Sequence, residues 1–176
     1  MKTLLSENEL HQGVRKIAAE VNQAYENRPL TIVGVMTGCI VLIADMIRLL
    51  EMPLRVGVVQ ASSYRDATTP GELIVNADLM LDITDRDVLI VDDIFDTGKT
   101  MVKLLETMNQ LGPNSLRSGV LLMKQGRQTV DYRPDFVGFE IPDAFVVGYG
   151  LDYRDEYRNL PFLAALEEKE INAPAT

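Results

Sequence analysis

Basic residues are the scarce class in this chain, with 17 Lys and Arg against 26 Asp and Glu and a net charge of −9. A broad nucleic-acid surface needs clustered cations to displace counterions, so that class of partner is disfavoured. A small anionic ligand is not, because backbone N–H groups at a helix start, or a bound divalent cation, can hold one. Also missing is any run of about eighteen apolar residues, the length a membrane-spanning helix needs. The N-terminus, Met1 to Glu7, lacks the apolar stretch of a secretory signal and turns acidic at once. Cysteine occurs once, at Cys39, which excludes an internal disulfide and suits a reducing compartment; the expected location is the cytoplasm. No internal repeat or low-complexity tract appears. What is present is 176 residues with 47% hydrophobic content, enough for one domain with its own core.

The hydrophobic pattern supplies alternating strands and helices. Ser6-Glu7-Asn8-Glu9 has the spacing of a capping box, and Leu10, Val14, Ile17, Ala18 and Val21 recur at helical steps behind it, in a helix that should end near Asn27. Leu30–Met36 is almost wholly apolar, the pattern of a strand buried on both faces of a parallel sheet. After a turn at Thr37-Gly38, Ile40–Leu50 reads as a helix and Leu54–Gln60 as a second strand. Ala61–Gly71 is a polar loop long enough to suggest a lid. Glu72–Asn76 and Leu79–Ile83 read as short strands, an antiparallel pair at a sheet edge. Val88–Val91 is a buried strand, Asp92–Lys99 a loop, and Thr100–Leu111 an amphipathic helix stopped by Gly112-Pro113. Ser118–Met123, Phe136–Phe139 and Phe145–Val147 complete the strands of a single domain over residues 1–166. Residues 167–176 are expected to fray. The alternation implies an α/β fold with a mainly parallel central sheet flanked by helices, and ligands in such sheets sit beyond the carboxyl ends of the strands.

One of those ends carries a strong local signature. Val88-Leu-Ile-Val-Asp-Asp-Ile-Phe-Asp-Thr-Gly-Lys-Thr100 sets a buried strand, two adjacent acids, a third acid and a small polar turn directly before a helix. Amides from Asp96 to Thr100 would face the space ahead of the helix, where its dipole favours a monophosphate. Thr97 and Thr100 add hydroxyls, and Gly98 permits close backbone approach. An ATP-binding P-loop is excluded, because the glycine it requires five residues before Gly98 is Asp93 here. An ordinary capped strand-to-helix turn leaves Asp92 and Asp93 unexplained, since two acids at the end of a buried strand need a cation or hydroxyl partners.

Val88 to Met101 resembles the phosphoribosyl-diphosphate signature of the type I phosphoribosyltransferases. Ser62-Ser63-Tyr64, the strand ending in Lys124, the run Phe136 to Tyr153 and Tyr157-Arg158-Asn159-Leu160 resemble the hypoxanthine-guanine branch of that family. The likeness spans about Leu30 to Leu163, and Phe136 to Tyr153 is its most diagnostic part. It implies a central parallel sheet with a small hood and a flexible flap, transfer of a phosphoribosyl group to a 6-oxopurine, Mg²⁺ as cofactor, and a homodimer or homotetramer. Rival readings are a nucleotide- and RNA-binding regulator on the same fold, which the acidity of the chain disfavours, a transferase for xanthine or a pyrimidine, and a plain nucleotide-binding module.

The resemblance assigns roles residue by residue. Asp92 and Asp93 serve the ribose hydroxyls and a Mg²⁺ shell, with Asp92 standing where the family usually has Glu. Asp96 is the general base toward the imidazole edge of the purine, its alternative role being a helix cap. Asp96, Thr97, Gly98, Lys99 and Thr100 bind the 5′-phosphate. Thr37-Gly38 corresponds to the pyrophosphate turn, where the family often has a basic residue before Gly, and a cis peptide between Met36 and Thr37 is expected on the same grounds. Lys124 meets the purine O6, Phe145 stacks on the ring, and Val146 offers backbone groups to its edge. Asp152 lies at the purine edge and ligates a second Mg²⁺, and Arg158 clamps pyrophosphate. Ser63 and Tyr64 resemble the tip of the flap. His11 receives no role.

Overall fold

The computed structural model describes residues 1–63, 73–76 and 81–172. Its centre is a sheet in which β3 (Leu54–Ser63), β2 (Leu30–Met36), β5 (Asp87–Phe95), β6 (Ser115–Lys124) and β7 (Phe136–Ile141) run parallel, in that order. β4 (Leu73–Asn76) joins the outer edge of β3 antiparallel. The first six residues of β2 are buried, as its apolar run predicts for a strand covered on both faces.

Helix α1 (Glu7–Tyr25) begins at the expected capping box, in which the Ser6 hydroxyl takes the Glu9 N–H while Glu9 accepts from Ser6 N at 2.8 Å. Its stripe of Leu10, Val14, Ile17, Ala18 and Val21 packs with α2 (Ile40–Met46), which ends in a 3₁₀ turn over Ile47–Leu49, to cover one face of the sheet. Met101, Leu104 and Met108 of α3 (Lys99–Asn109) cover the other with Val33, Val88, Ile90 and Val120. Among the described residues no helix is long and apolar enough to cross a membrane.

Several elements depart from the sequence pattern. Asp92–Phe95 continue β5 rather than forming a loop, because β6 runs on beside them and pairs Asp92 with Val120 and Phe95 with Met123. β3 likewise extends through Ser63, where β4 supplies its ladder; residues 64–71 of the expected lid, and Glu72 of the expected strand, lie outside the described ones. The second half of the expected edge hairpin is not a strand at residues 81–83, since β4 has already paired with β3 and Ile83 turns into the core.

Phe145–Val147 does not extend the main sheet. Val146–Val147 form β8 of a separate three-stranded sheet, completed by β9 (Leu163–Ala165) and β1 (Lys2–Leu5), neither of which the periodicity announces. This is the small hood. Of the tail expected to fray, residues 167–172 are described and include one turn, α4 (Glu168–Ile171), with Glu170 2.6 Å from the Met1 ammonium; residues 173–176 lie outside the described ones.

Candidate active site

Strand β5 ends in a turn that feeds α3, and the turn encloses a cavity of about 200 Å³ lined by Asp92 to Gly98, Thr100 and Met101. Gly98 occupies the N-cap position of α3 with φ 85° and so brings no capping side chain, while the Thr97 hydroxyl accepts from Lys99 N at 3.5 Å. A Cβ on Gly98 would sit 2.4 Å from Val130 and 2.6 Å from the Phe95 ring, so the position admits only glycine for reasons of both φ and space. The start of α3 thereby borders the cavity through Gly98, Thr100 and Met101, with Thr97 beside them and the Lys99 side chain exposed. Asp96 does not act as a cap.

Asp92 is buried and Asp93 partly so, with the Asp93 N–H donating to Asp92 Oδ1 at 2.9 Å. Burial, and then the charge of Asp93, push the Asp92 carboxyl well above the usual carboxylate range. Burial also raises Asp93, against the pull of nearby N–H groups and of Arg158. Two carboxylates held this way favour a proton or a cation between them. Gly38 lies directly against them, since a Cβ on it would be 1.7 Å from Asp93 Oδ2. The peptide Met36–Thr37 just before it is cis, as expected. The buried Cys39 thiol is pushed up by burial and by both acids, which makes it a core side chain rather than a nucleophile.

Asp96 sits in a closed set of four charges. Lys124 Nζ, on a side chain 11% exposed, is 3.1 Å from Asp96 Oδ2 and 3.6 Å from Asp143 Oδ1. Arg127 Nε is 3.0 Å from Asp96 Oδ1 and 3.6 Å from Asp143. Burial raises the Asp96 carboxyl, but the bonds from Arg127 and Lys124 outweigh it and hold the group below the usual range. Gln128 Nε2 binds the backbone oxygens of both Asp96 and Lys124, and the Thr129 N–H binds Thr97 O at 3.0 Å. The segment from Arg127 to Val130 thus buttresses the turn along its length. Arg127, Gln128 and Asp143 have no signature of their own; the only hint is a second cation three residues past Lys124.

A third group closes the site. Arg158 donates to Gly150 O at 2.8 Å and to Asp152 Oδ1 at 2.8 Å, while Asp152 Oδ2 also takes the Asp155 N–H at 3.0 Å. Gly150 packs on Gly38, a Cβ there lying 2.2 Å from Gly38 O. The two turns and the acid pair are therefore in contact. Phe145 is 42% exposed and stands edge-on to Tyr153 with centroids 5.2 Å apart, while Val146 is buried in β8. Ser63 ends β3, paired with Leu73, and Tyr64 lies outside the described residues. Among the described residues no three His, Cys, Asp or Glu side chains converge as a metal set.

Comparison with known proteins agrees with this geometry. A model of the phosphoribosyl transferase domain matches residues 1–154. The hypoxanthine-guanine phosphoribosyltransferase of Staphylococcus epidermidis is 39% identical over 165 residues, covering 93% of this chain and 92% of its own. That of Bacillus subtilis is 38% identical over 167 residues, covering 94% and 93%. A crystal structure of a hypoxanthine-guanine phosphoribosyltransferase from Bacillus anthracis superposes with a TM-score of 0.89 at 36% identity, over 95% of this chain and 99% of the other.

Proposed function

The chain belongs to the phosphoribosyl transferase domain family, and from that premise we propose how its site works. It is a hypoxanthine-guanine phosphoribosyltransferase, moving the 5-phosphoribosyl group of phosphoribosyl diphosphate onto a 6-oxopurine and releasing pyrophosphate. The observation that carries the reading is the pairing of Asp96 with Lys124 at the edge of a cavity bordered by the start of α3.

The displacement builds positive charge on the sugar and negative charge on the leaving group, so each end needs opposite charge already in place. The 5′-phosphate takes the amides and hydroxyls of Asp96 to Thr100, which orients the ribose over Asp92 and Asp93. Those carboxylates receive its hydroxyls and offset charge on the ring. Lys124 leaves Asp96 for the purine O6, a step that selects 6-oxopurines because a 6-amino group offers no acceptor there. Asp96, so released on one side, accepts the purine proton while Arg127 still holds its other oxygen. Phe145 covers the purine face and Val146 meets its edge. Pyrophosphate leaves against the Thr37-Gly38 amides and the Arg158 guanidinium.

Magnesium fits the acid pair, since Asp92 and Asp93 present hard oxygens whose mutual repulsion a cation relieves. Asp152 fits less freely, its carboxylate already taking Arg158 and the Asp155 N–H. Asp92 and Asp93 would hold the ion, and it would supply charge neutralisation toward the diphosphate. The same reading makes residues 1–166 one catalytic domain of a cytoplasmic homodimer or homotetramer.

The test is incubation with Mg²⁺, phosphoribosyl diphosphate and each of hypoxanthine, guanine, xanthine, adenine and uracil. Nucleotide and pyrophosphate should form with hypoxanthine or guanine, and no turnover with any 6-oxopurine sinks the proposal. Asp96→Asn should lower kcat by about 10²-fold or more, the scale of a lost general base, with little change in KM for phosphoribosyl diphosphate. Unchanged turnover removes the base role.

A further inference from the structure

The turn Gly148-Tyr149-Gly150 has three consecutive residues at positive φ, 98°, 51° and 100°. Glycine takes such angles freely, but tyrosine does not, so something must hold Tyr149 there. The residue is 3% exposed, and its hydroxyl donates to Asp45 Oδ2 at 2.6 Å. Asp45 lies on α2, the helix that starts directly after the Thr37-Gly38 turn. It is itself fixed from outside by Arg48, at 2.7 Å from Oδ1, and by His11, at 3.6 Å from Oδ2.

Both neighbours of Tyr149 are packed to contact. A Cβ on Gly148 would lie 2.1 Å from Phe162 O, and Gly150 rests on Gly38 O and gives its own carbonyl to Arg158. Contacts thus run from Asp45 through Tyr149 and Gly150 to Gly38, Asp93, Arg158 and Asp152.

We propose that Tyr149 and Asp45 form a positioning strut that holds the two pyrophosphate-side elements, the Thr37-Gly38 turn and Arg158, in register with each other. The inference rests on the proposed function and adds residues that touch no substrate. It also assigns the strut to one side of the site. On the purine side, Val146 of β8 pairs with Ala165 and Phe145 O accepts from Leu166 N at 2.8 Å, contacts that do not involve the Tyr149 hydroxyl.

Steady-state kinetics of the intact enzyme, with pyrophosphate inhibition, test this. Tyr149→Phe removes one hydroxyl; it should raise KM for phosphoribosyl diphosphate and Ki for pyrophosphate about five- to tenfold, the scale of a small misplacement of binding groups. KM for hypoxanthine should stay within about twofold. Asp45→Leu should reproduce that pattern, and Asp45→Asn, which keeps an acceptor for the hydroxyl, should restore near-parental constants. The double variant Tyr149→Phe/Asp45→Leu should be no worse than either single one. Parental constants for Tyr149→Phe, equal impairment of Asp45→Asn and Asp45→Leu, or multiplying effects in the double variant would each overturn the strut. If Tyr149→Phe does not fold, the Asp45→Asn and Asp45→Leu pair decides alone. A parent enzyme without turnover is a failure of the proposed function instead, and calorimetric pyrophosphate binding to parent and variants then reads the strut directly.

Discussion

At the scale of single residues, Arg127 sets how easily Asp96 takes a proton. The Asp96 carboxyl is depressed because its bonds to Arg127 and Lys124 together exceed the opposing effect of burial. The proposed base in that state is ionised through the neutral range and is lost only as pH falls through its lowered pKa. Arg127→Gln removes one of the two cations, so the Asp96 pKa should rise toward the ordinary value. The acid limb of the kcat/KM profile should then move to higher pH, with the rate above neutrality little altered. Both partners are more than a third exposed, so the displacement should shrink as salt is raised. A pH–rate profile at two ionic strengths checks this, and an unmoved acid limb refutes it. The contrast between Asp96 and Arg127 also marks what a sequence discloses. Asp92 to Thr100 are contiguous and their chemistry is local, so strand, acids, turn and helix start are legible together. Arg127 reaches Asp96 across 31 positions, and Asp143 joins them through Lys124 and Arg127, a proximity created only when β6 and β7 pair beside β5.

At the scale of elements, the parallel strands are held in register at their amino ends by a buried carboxylate. Asp87, 7% exposed at the start of β5, accepts from Ser115 Oγ at 2.5 Å, Asn114 Nδ2 at 2.8 Å and Arg28 Nη1 at 3.1 Å. These partners come from the start of β6 and the approach to β2, the two strands that flank β5. Burial raises the Asp87 carboxyl, but the hydroxyl and amide bonds with Arg28 prevail and lower it. A lowered pKa in the folded state contributes stability that is full above the unfolded value, near 3.9, and is lost as pH falls through the folded one. Asp87→Ala should therefore cost about 2–3 kcal/mol near neutrality, mostly from the two neutral donors left unpaired, because the half-exposed Arg28 is screened. The deficit should begin to narrow below about pH 4, as the unfolded parent protonates, and continue to narrow as pH falls through the depressed folded pKa. Urea unfolding at several pH values measures it, and a deficit independent of pH would argue against the charge. Strand existence was legible here from apolar runs, but strand length was not. Acids and small polar residues at Asp92–Phe95 and Ala61–Ser63 suggest loops, and only the neighbouring ladder keeps them extended.

At the scale of the whole molecule, strands from near both ends of the sequence build the small sheet that carries Val146, the residue proposed to meet the purine edge. β1 pairs with β9, Lys2 opposite Ala165 and Leu5 opposite Leu163, and β9 pairs in turn with β8, Val146 opposite Ala165. Leu4 and Leu5 pack against the main core, and the Met1 ammonium meets Glu170 of α4 at 2.6 Å. No periodicity in a four-residue and a three-residue strand announces such a sheet, because its partners lie at opposite ends of the sequence. Its position gives it a role distinct from that of the Tyr149 strut. The strut braces the pyrophosphate side, whereas β1 and β9 brace the strand that carries Val146 and follows Phe145. Deleting residues 1–5 should accordingly raise KM for hypoxanthine about fivefold while KM for phosphoribosyl diphosphate changes much less, the reverse of the Tyr149→Phe pattern. Loss of the edge strand with Leu4 and Leu5 should also cost about 2 kcal/mol, or roughly 4–8 °C in melting temperature for a domain of this size. Kinetics with each substrate varied in turn, beside a thermal melt, separate the two effects. If the truncated enzyme melts lower but keeps its KM for hypoxanthine, β1 supports the fold without shaping the purine pocket, and the division of the site between two braces is wrong.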